Sequence, residues 1–368
     1  MSLPFFKTGS RKIVLLLSGL ILLTSNIFAQ KWQNPSEKYL DAYKQYLNAP
    51  CPIPEDNIKH FVYFARDRRA IKGHPLLTHP RFAGAQVMYT WRELEPKMGE
   101  YDFSNIKTDI DCLAANGKKL FVQIQDATFM YKYKAVPEYL LEEEYDGGAA
   151  IQYYDSKKPE GWVAKRWNAK VRERFALFLA AMGAELDGQI EGINLQETSI
   201  GVSAETDPSF SEEAYVEGLK ANMLALKQAF PTSATMIYAN FMPGEWLPWE
   251  DKKYLSSLYA YGEEIGVGLG GPDLMVTRKG QLNHALKFMH EGEYSAPIGI
   301  AIQDGNYIAK TGADTDYDET VDKGGTDRKN LVPMLHAFAR DFLKVDYMFW
   351  VDQEPYFEED VLKCFEGE

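Results

Sequence analysis

The sequence predicts an α/β fold, a single-domain (β/α)8 TIM barrel, from three observations. Eight short apolar runs recur along the chain, and amphipathic helical patterns separate most of them. Strands that alternate with helices imply a parallel sheet, and eight such units imply a closed barrel. No GxGxxG follows the first run, which disfavours an open doubly wound sheet. No internal repeat or long linker divides the chain.

The eight predicted strands are short apolar runs bounded by turn residues, and the sixth is weak and Gly-rich. They are His60–Ala65, Phe82–Tyr89, Leu120–Gln125, the apolar run within Gln189–Gly201, Ala234–Ala239, Gly266–Leu269, Pro297–Ile302 and Asp346–Trp350.

Helical patterns and one long insertion connect these strands. The clearest helices are Val163–Leu186 and Phe210–Phe230, each with apolar residues at helical spacing. The insertion Ala127–Gly161 is rich in Tyr and acidic residues. We expect it to overhang one face of the barrel.

The N-terminus has the pattern of a secretory signal. A basic region precedes the apolar segment Ile13–Leu23, which is short for a transmembrane helix, and small residues end at Ala29. The predicted arrangement is therefore a signal peptide at 1–29 and a barrel domain at 30–368. We expect a secreted or periplasmic protein with no membrane association after cleavage.

The composition of the chain indicates which kinds of ligand and partner to expect. The formal net charge of −13 argues against nucleic acid, because phosphate binding needs a basic surface. The 22 Tyr, 20 Phe and 7 Trp leave more aromatic surface than a core strictly needs, which suits stacking on sugar rings but equally suits a plain large core. No CxxC or HExxH spacing occurs, so neither a metal site nor a cofactor is predicted.

The three cysteines leave their pairing open. Cys51 and Cys364 lie near the ends of the mature chain, and a disulfide between them is compatible with an oxidising compartment. Spacing alone does not define the connectivity. Cys112 falls on the apolar face of a predicted helix and is expected to be a buried free thiol.

Carboxylates at strand ends are the candidate catalytic groups, because active sites of such barrels lie at the C-terminal ends of the strands. Glu197 follows the fourth strand, and Asp304 follows the seventh. Cleavage of a glycosidic bond needs a proton donor and a second carboxylate that attacks the sugar or activates water. The alternative for Glu197 is a loop carboxylate that accepts hydrogen bonds from nearby backbone.

The segment from Gln86 to Ser104, QVMYTWRELEPKMGEYDFS, resembles the second-strand signature of clan A glycoside hydrolases, and is closest in style to their beta-galactosidase-like, family 42-like members. The segments KKLFVQIQDATF and GINLQE also resemble the corresponding segments of that clan. The resemblance implies an acid/base at Glu197, a nucleophile at the end of strand seven, and a platform Trp at Trp350.

This chain departs from that pattern twice. Gln196 stands where the clan has Asn, and Asp304 stands where it has Glu. Three alternatives remain: Asp304 is the second carboxylate, Glu354 beyond strand eight contributes, or the mechanism is changed or lost.

Other polar and aromatic residues near strand ends are candidates for contacting sugar, and each also has a structural interpretation as a core, capping or ion-pairing residue. They are Arg66, Tyr89, Trp91, Asp126, Asn194, Asn240, Trp246, Trp350 and Glu354.

The sequence therefore predicts an exported, retaining glycosidase that acts on an oligo- or polysaccharide and needs no cofactor. The alternative is a carbohydrate-binding barrel that has lost turnover. A lyase or aldolase barrel is disfavoured because none of the predicted strand ends carries Lys.

Overall fold

Eight parallel strands form a closed barrel in the computed structural model, which describes residues 37–153, 158–246, 250–303, 306–307 and 328–366. Each strand pairs with the next along the chain, and the last pairs with the first. The prediction of a TIM barrel is confirmed. The barrel strands are β1 (Lys59–Tyr63), β2 (Phe82–Thr90), β3 (Lys119–Gln125), β4 (Gly192–Leu195), β5 (Ala234–Tyr238), β6 (Gly268–Gly271), β7 (Ile298–Ile302) and β8 (Tyr347–Val351).

Helices surround the barrel. The α-helices are α1 (Trp91–Leu94), α2 (Ser104–Ala114), α3 (Ala169–Leu186), α4 (Glu212–Ala229), α5 (Tyr254–Ile265), α6 (Lys279–Leu282), α7 (Ala285–Glu291), α8 (Arg328–Ala337) and α9 (Lys363–Glu366).

Shorter helical segments complete the described part of the chain. The 3₁₀ turns are Ala42–Tyr46, Arg68–Ile71, Pro75–Leu77, Glu138–Leu141 and Glu143–Tyr145, and the π-helical segments are Phe338–Leu343 and Phe357–Leu362.

The barrel interior changes in chemistry along its axis. Phe61, Phe121 and Phe349 pack against one another in the lower part, with ring centroids 4.9–5.8 Å apart. Above them Gln86 donates hydrogen bonds to Asn194 Oδ1 (3.0 Å) and to the Tyr238 hydroxyl (2.8 Å). This polar layer forms the floor beneath the C-terminal mouth.

The insertion after β3 carries its own antiparallel sheet of three short strands, Ala127–Thr128, Ala149–Gln152 and Gly161–Ala164. The prediction of a helix from Val163 was therefore wrong at its start. Helix α3 begins only at Ala169, where the Asn168 side chain accepts hydrogen bonds from the first free backbone N–H groups.

A disulfide joins Cys51 to Cys364, with 4.9 Å between their Cα atoms. Cys112 is free and only partly buried. The residues Asn34–Glu368 form one compact unit. In the part of the chain that the structure describes, none of the helices combines the length and the apolar character needed to cross a membrane.

Candidate active site

A cavity of about 200 Å³ lies at the C-terminal mouth of the barrel, above the polar layer. Arg66 and Glu197 are the two charged residues among its described lining. The lining residues are Tyr63, Ala65, Arg66, Met88, Gln123, Gln125, Thr128, Phe129, Met130, Gln196, Glu197, Tyr238, Pro272 and Gln303.

Glu197 reaches the cavity from the loop that follows β4, and its side chain is partly exposed there. The Asn240 side-chain amide, just beyond β5, donates a hydrogen bond of 2.7 Å to Glu197 Oε2. Asn240 is itself fixed, because its Oδ1 accepts from the backbone N–H groups of Ser199 (3.2 Å) and Phe241 (2.8 Å). The neighbouring Gln196 accepts a hydrogen bond from the backbone of Ala127 (3.0 Å).

The surroundings of Glu197 favour its protonated form. Burial disfavours the charged carboxylate, and together with the nearby negative charge of Asp273 it raises the pKa of Glu197 to about 7. The Asn240 hydrogen bond and the positive charges of Arg166 and Arg278 oppose this rise. Glu197 therefore holds a proton over much of the range below neutrality.

A buried ion pair anchors the backbone beneath Glu197. Arg166 donates to both carboxylate oxygens of Asp126 (2.7 and 2.6 Å), to the Glu197 carbonyl oxygen (2.8 Å) and to the Tyr215 hydroxyl (2.9 Å). Tyr215 in turn donates to the carbonyl oxygen of Thr198 (2.9 Å). The prediction that Asp126 contacts sugar is not supported, because its oxygens are occupied by Arg166 and its side chain lies outside the cavity lining.

Asp273, which follows β6, is a further carboxylate near this site that the sequence did not single out. Asn306 donates to Asp273 Oδ1 (3.0 Å), and its own Oδ1 accepts from the backbone of Leu274 (3.2 Å) and of Gln303 (3.1 Å). Asn306 thus ties the end of β7 to the loop after β6. Asp304 lies outside the described residues, although the preceding Gln303 lines the cavity.

Two aromatic candidates at the end of β2 face away from the cavity. Tyr89 is fully buried, and its hydroxyl donates to Asp109 Oδ2 on α2 (2.6 Å). Trp91 is also fully buried, donates to Glu95 Oε2 (2.8 Å) and packs against Phe175 with ring centroids 4.9 Å apart. Both are core residues outside the cavity lining, so the structure does not support the expected role of either in a sugar subsite.

Trp350 and Asn194 are also structural. Trp350 is fully buried on the outer side of β8, where its Nε1–H donates to His60 Nδ1 (3.2 Å) and its ring packs against Phe365 at 5.5 Å. The structure therefore does not support the expected role of Trp350 as a platform for the sugar. Asn194 is fully buried in the polar layer under the cavity and does not line it.

Three other candidates lie at or near the mouth. Arg66 lines the cavity, donates to Gln125 Oε1 (3.2 Å) and lies 5.0 Å from the ring centre of Tyr133. Trp246 is partly exposed, with its ring 6.4 Å from that of Phe241, but does not line the cavity. Glu354 is exposed and likewise lies outside the lining.

Within the described residues, one cluster has donor atoms close enough together for a metal ion, namely Asp56, His60 and His336 at the opposite end of the barrel. Since His60 Nδ1 accepts the Trp350 N–H, its proton resides on Nε2, which lies 3.5 Å from Asp56 Oδ1. A protonated Nε2 has no lone pair for a metal. The cluster is therefore better described as a carboxylate hydrogen-bonded to His336, with the His60 imidazole 3.5 Å away.

No family model matches the chain, and no curated protein matches it in sequence. It does resemble solved structures. One is a GH5_18 glycoside hydrolase variant from Streptomyces cattleya in complex with Manβ1-4GlcNAc (12% identity, 80% of this chain and 70% of that one, TM-score 0.52). Another is the catalytic domain of a beta-amylase from Paenibacillus polymyxa (9% identity, 81% and 92%, TM-score 0.50).

A third structure is a family 39 glycoside hydrolase from Bacteroides cellulosilyticus (13% identity, TM-score 0.48). The match covers 82% of this chain but only 58% of the length of that protein. At sequence identities this low, a structural likeness shows a shared fold only. The two structures with TM-scores of 0.52 and 0.50, a GH5_18 glycoside hydrolase and a beta-amylase, therefore resemble this chain in fold.

Proposed function

We propose that this protein is a clan A-like glycoside hydrolase that cleaves an O-glycosidic bond in the cavity at the barrel mouth. The observation that carries the proposal is Glu197: a carboxylate after the fourth barrel strand, exposed to a cavity, with a pKa raised to about 7. A general acid works best when its pKa lies near the working pH. The shared fold supports the same class.

In the proposed reaction Asp304 attacks the anomeric carbon while Glu197 gives its proton to the departing glycosidic oxygen. The C–O bond breaks, and a glycosyl–Asp304 ester forms. Glu197, now ionised, takes a proton from water, whose oxygen displaces Asp304 and releases the sugar. Asp304 is assigned here because it directly follows Gln303, which lines the cavity. Glu354, exposed outside the lining, is the weaker candidate.

The remaining polar lining residues suit the binding of sugar hydroxyls. Among the described residues Arg66 donates one hydrogen bond, to Gln125, and its guanidinium carries further N–H groups that can serve a ligand. Asn240 orients the Glu197 carboxyl and lies at the edge of the same site. A cavity with a few fixed polar groups on an otherwise neutral wall is typical of small-ligand sites.

We also propose that the protein is exported. The Cys51–Cys364 disulfide supports this, because disulfides persist mainly in oxidising compartments. The sequence expectation of a signal peptide at 1–29 agrees with it.

The test is hydrolysis of xylan, β-mannan, β-1,3-glucan, galactan, polygalacturonate and alginate by the chain from Gln30 onward, read as released reducing ends. We expect Glu197→Gln and Asp304→Asn each to lower the rate on an accepted glycan by on the order of 10²–10⁴-fold. Glu205→Gln, an exposed glutamate after the same strand, is the matched control and should retain full activity. Melting temperatures establish that each variant is folded.

A carbohydrate-binding barrel without turnover is the second candidate, since Glu197 is the one carboxylate in the described cavity lining. Thermal stabilisation by a glycan, with no sugar released by the wild type, would favour it. Hydrolysis that Glu197→Gln leaves unchanged would contradict the proposed mechanism.

A further inference from the structure

Three consecutive large side chains on the insertion are half exposed: Phe129 (50%), Met130 (51%) and Tyr131 (47%). Scattered single apolar residues on a surface need no explanation, whereas a contiguous patch marks a binding surface. We call these three residues together with Trp162 the aromatic shelf.

The shelf is continuous with the cavity. Phe129 and Met130 form part of the same lining as Glu197, and their exposed portions lead from the mouth toward Tyr131. A ligand that fills the cavity and extends beyond it on this side therefore meets the shelf first.

The shelf is held in place before any ligand arrives. The Tyr131 and Trp162 rings stack with centroids 5.5 Å apart and planes 13° apart, and Trp162 Nε1 donates to the Tyr131 carbonyl oxygen (2.8 Å). The Lys134 ammonium lies 4.0 Å from the Trp162 ring centre.

The backbone beneath these rings is tightly constrained as well. The Trp162 N–H donates to Thr128 Oγ1 (3.2 Å), and the Gln152 side chain donates to the Thr128 carbonyl oxygen (2.9 Å). At Gly161 any Cβ atom would lie 1.8 Å from that same oxygen, so only glycine permits this approach of the strands. A rigid aromatic surface loses little entropy when it binds a ligand.

We propose that the aromatic shelf binds a sugar unit of the glycan beyond the one held at Glu197, so that the substrate is a chain of several sugars. This inference rests on the proposed function. A pyranose ring has an apolar C–H face that packs on an aromatic ring and a rim of hydroxyls that needs polar neighbours, which Lys134 supplies. A protein partner is disfavoured, because three exposed side chains fall far short of the ~800 Å² per side that a stable interface buries.

The experiment is affinity electrophoresis through gels that contain each of the six polysaccharides named above, with Glu197→Gln as the parent so that no gel is digested. We expect Tyr131→Ala in that parent to weaken retardation on the recognised polysaccharide about 3- to 10-fold, the loss of one aromatic contact. Met98→Ala is the matched control: Met98 is 50% exposed but lies outside the cavity lining, and its loss should change nothing.

A second readout uses the active enzyme. Tyr131→Ala should raise KM on the polysaccharide by a similar factor and leave hydrolysis of an aryl monoglycoside unchanged, because a single sugar does not reach the shelf.

Retardation that Tyr131→Ala leaves unchanged would overturn the proposal, as would a parent that no polysaccharide retards. A change in sedimentation of Tyr131→Ala without a change in retardation would overturn it too, since the shelf would then be a protein contact. Failure of the proposed function appears separately, as hydrolysis that survives Glu197→Gln.

Discussion

Two carboxylates at opposite ends of the barrel experience opposite electrostatic environments. Asp56 precedes β1, and its side chain is only 8% exposed, yet its pKa is held well below the usual range. Burial opposes this, but the hydrogen bonds from His336 (2.5 Å) and the Ile58 backbone N–H (2.8 Å), together with the His60 imidazole 3.5 Å away, outweigh it. Among the described residues Glu197 accepts from one neutral amide, that of Asn240, and its pKa rises to about 7.

The difference shows that the number and charge of hydrogen-bond donors, rather than burial alone, decide which carboxylate holds a proton. Asp56 stays ionised and accepts a hydrogen bond from His336 at the base of the barrel, close to the His60 imidazole. Glu197 remains able to exchange a proton near neutral pH, which is what a general acid requires.

The largest effect is expected from Asp56→Asn, which replaces one acceptor oxygen by an N–H₂ group that faces an imidazole N–H. We expect the free energy of unfolding to fall by about 2–4 kcal/mol at pH 7, measured by urea denaturation. The cost should shrink as the pH falls below the usual Asp pKa of about 3.9, where the stability that an ionised Asp56 contributes is progressively lost.

Asp41→Asn is the control for that measurement. Asp41 is 70% exposed, and its ion pair within the described part of the chain is with Lys44 at the surface, so its change should cost less than about 0.5 kcal/mol. An equal cost for both variants would show that the His–carboxylate–His cluster is not an anchor.

A smaller effect of opposite sign is expected from Glu197→Gln. Because the pKa of Glu197 is raised in the folded state, its contribution to stability is greatest below its ordinary pKa and is lost as the pH rises through about 7. Gln carries no charge at any pH, so the variant should exceed the wild type in unfolding free energy by about 1–3 kcal/mol near pH 8 and by much less near pH 4.5. An advantage that is independent of pH would contradict the raised pKa.

The smallest effect should come from Asp273→Asn, which removes the negative charge that helps to hold the proton on Glu197. The pKa of Glu197 should fall, so the alkaline limb of kcat/KM on an accepted glycan should move to lower pH. We expect less than about a tenfold loss at pH 8 and almost none at pH 5. Asp251→Asn, an exposed aspartate, should leave the profile in place.

The barrel was predictable because strands and helices alternate with clear patterns. Each predicted strand lies within two residues of the observed one at both ends, apart from the fourth, for which only a longer segment was given. The end of the insertion was predicted less well, because Gly161–Ala164 is apolar enough to be taken as the start of the helical pattern that follows. Its pairing with Ala149–Gln152 decides the strand, and that contact is tertiary.

The site was predicted at the level of strand ends but not at the level of side-chain direction. Alternate residues of a strand face opposite sides, so Met88 lines the cavity whereas Tyr89 points outward to α2. The same alternation turns Trp350 away from the mouth. Periodicity locates a strand but does not show which of its two faces points into the barrel. In β8 the inner face carries Phe349, which packs against Phe121, so the next residue, Trp350, points outward.

Two important residues near Glu197 lay outside that reasoning. Asp273 follows the Gly-rich β6, whose predicted end fell two residues early, so the aspartate was not recognised as a strand-end group. Arg166 precedes α3 within a segment predicted as helix. The one signal in the sequence that could have indicated Arg166 was Asp126, because a buried carboxylate requires a cationic partner.

The Cys51–Cys364 bond makes the folded domain a covalent ring of 314 residues, counted from the sequence separation of 313 plus one. A protease that cuts a single peptide bond anywhere inside this ring opens it without releasing a fragment, so β1 and β8 stay tethered at the seam where the barrel closes. For a protein exported as proposed, a single cleavage inside the ring therefore leaves both parts joined, and two cleavages are needed to detach a piece.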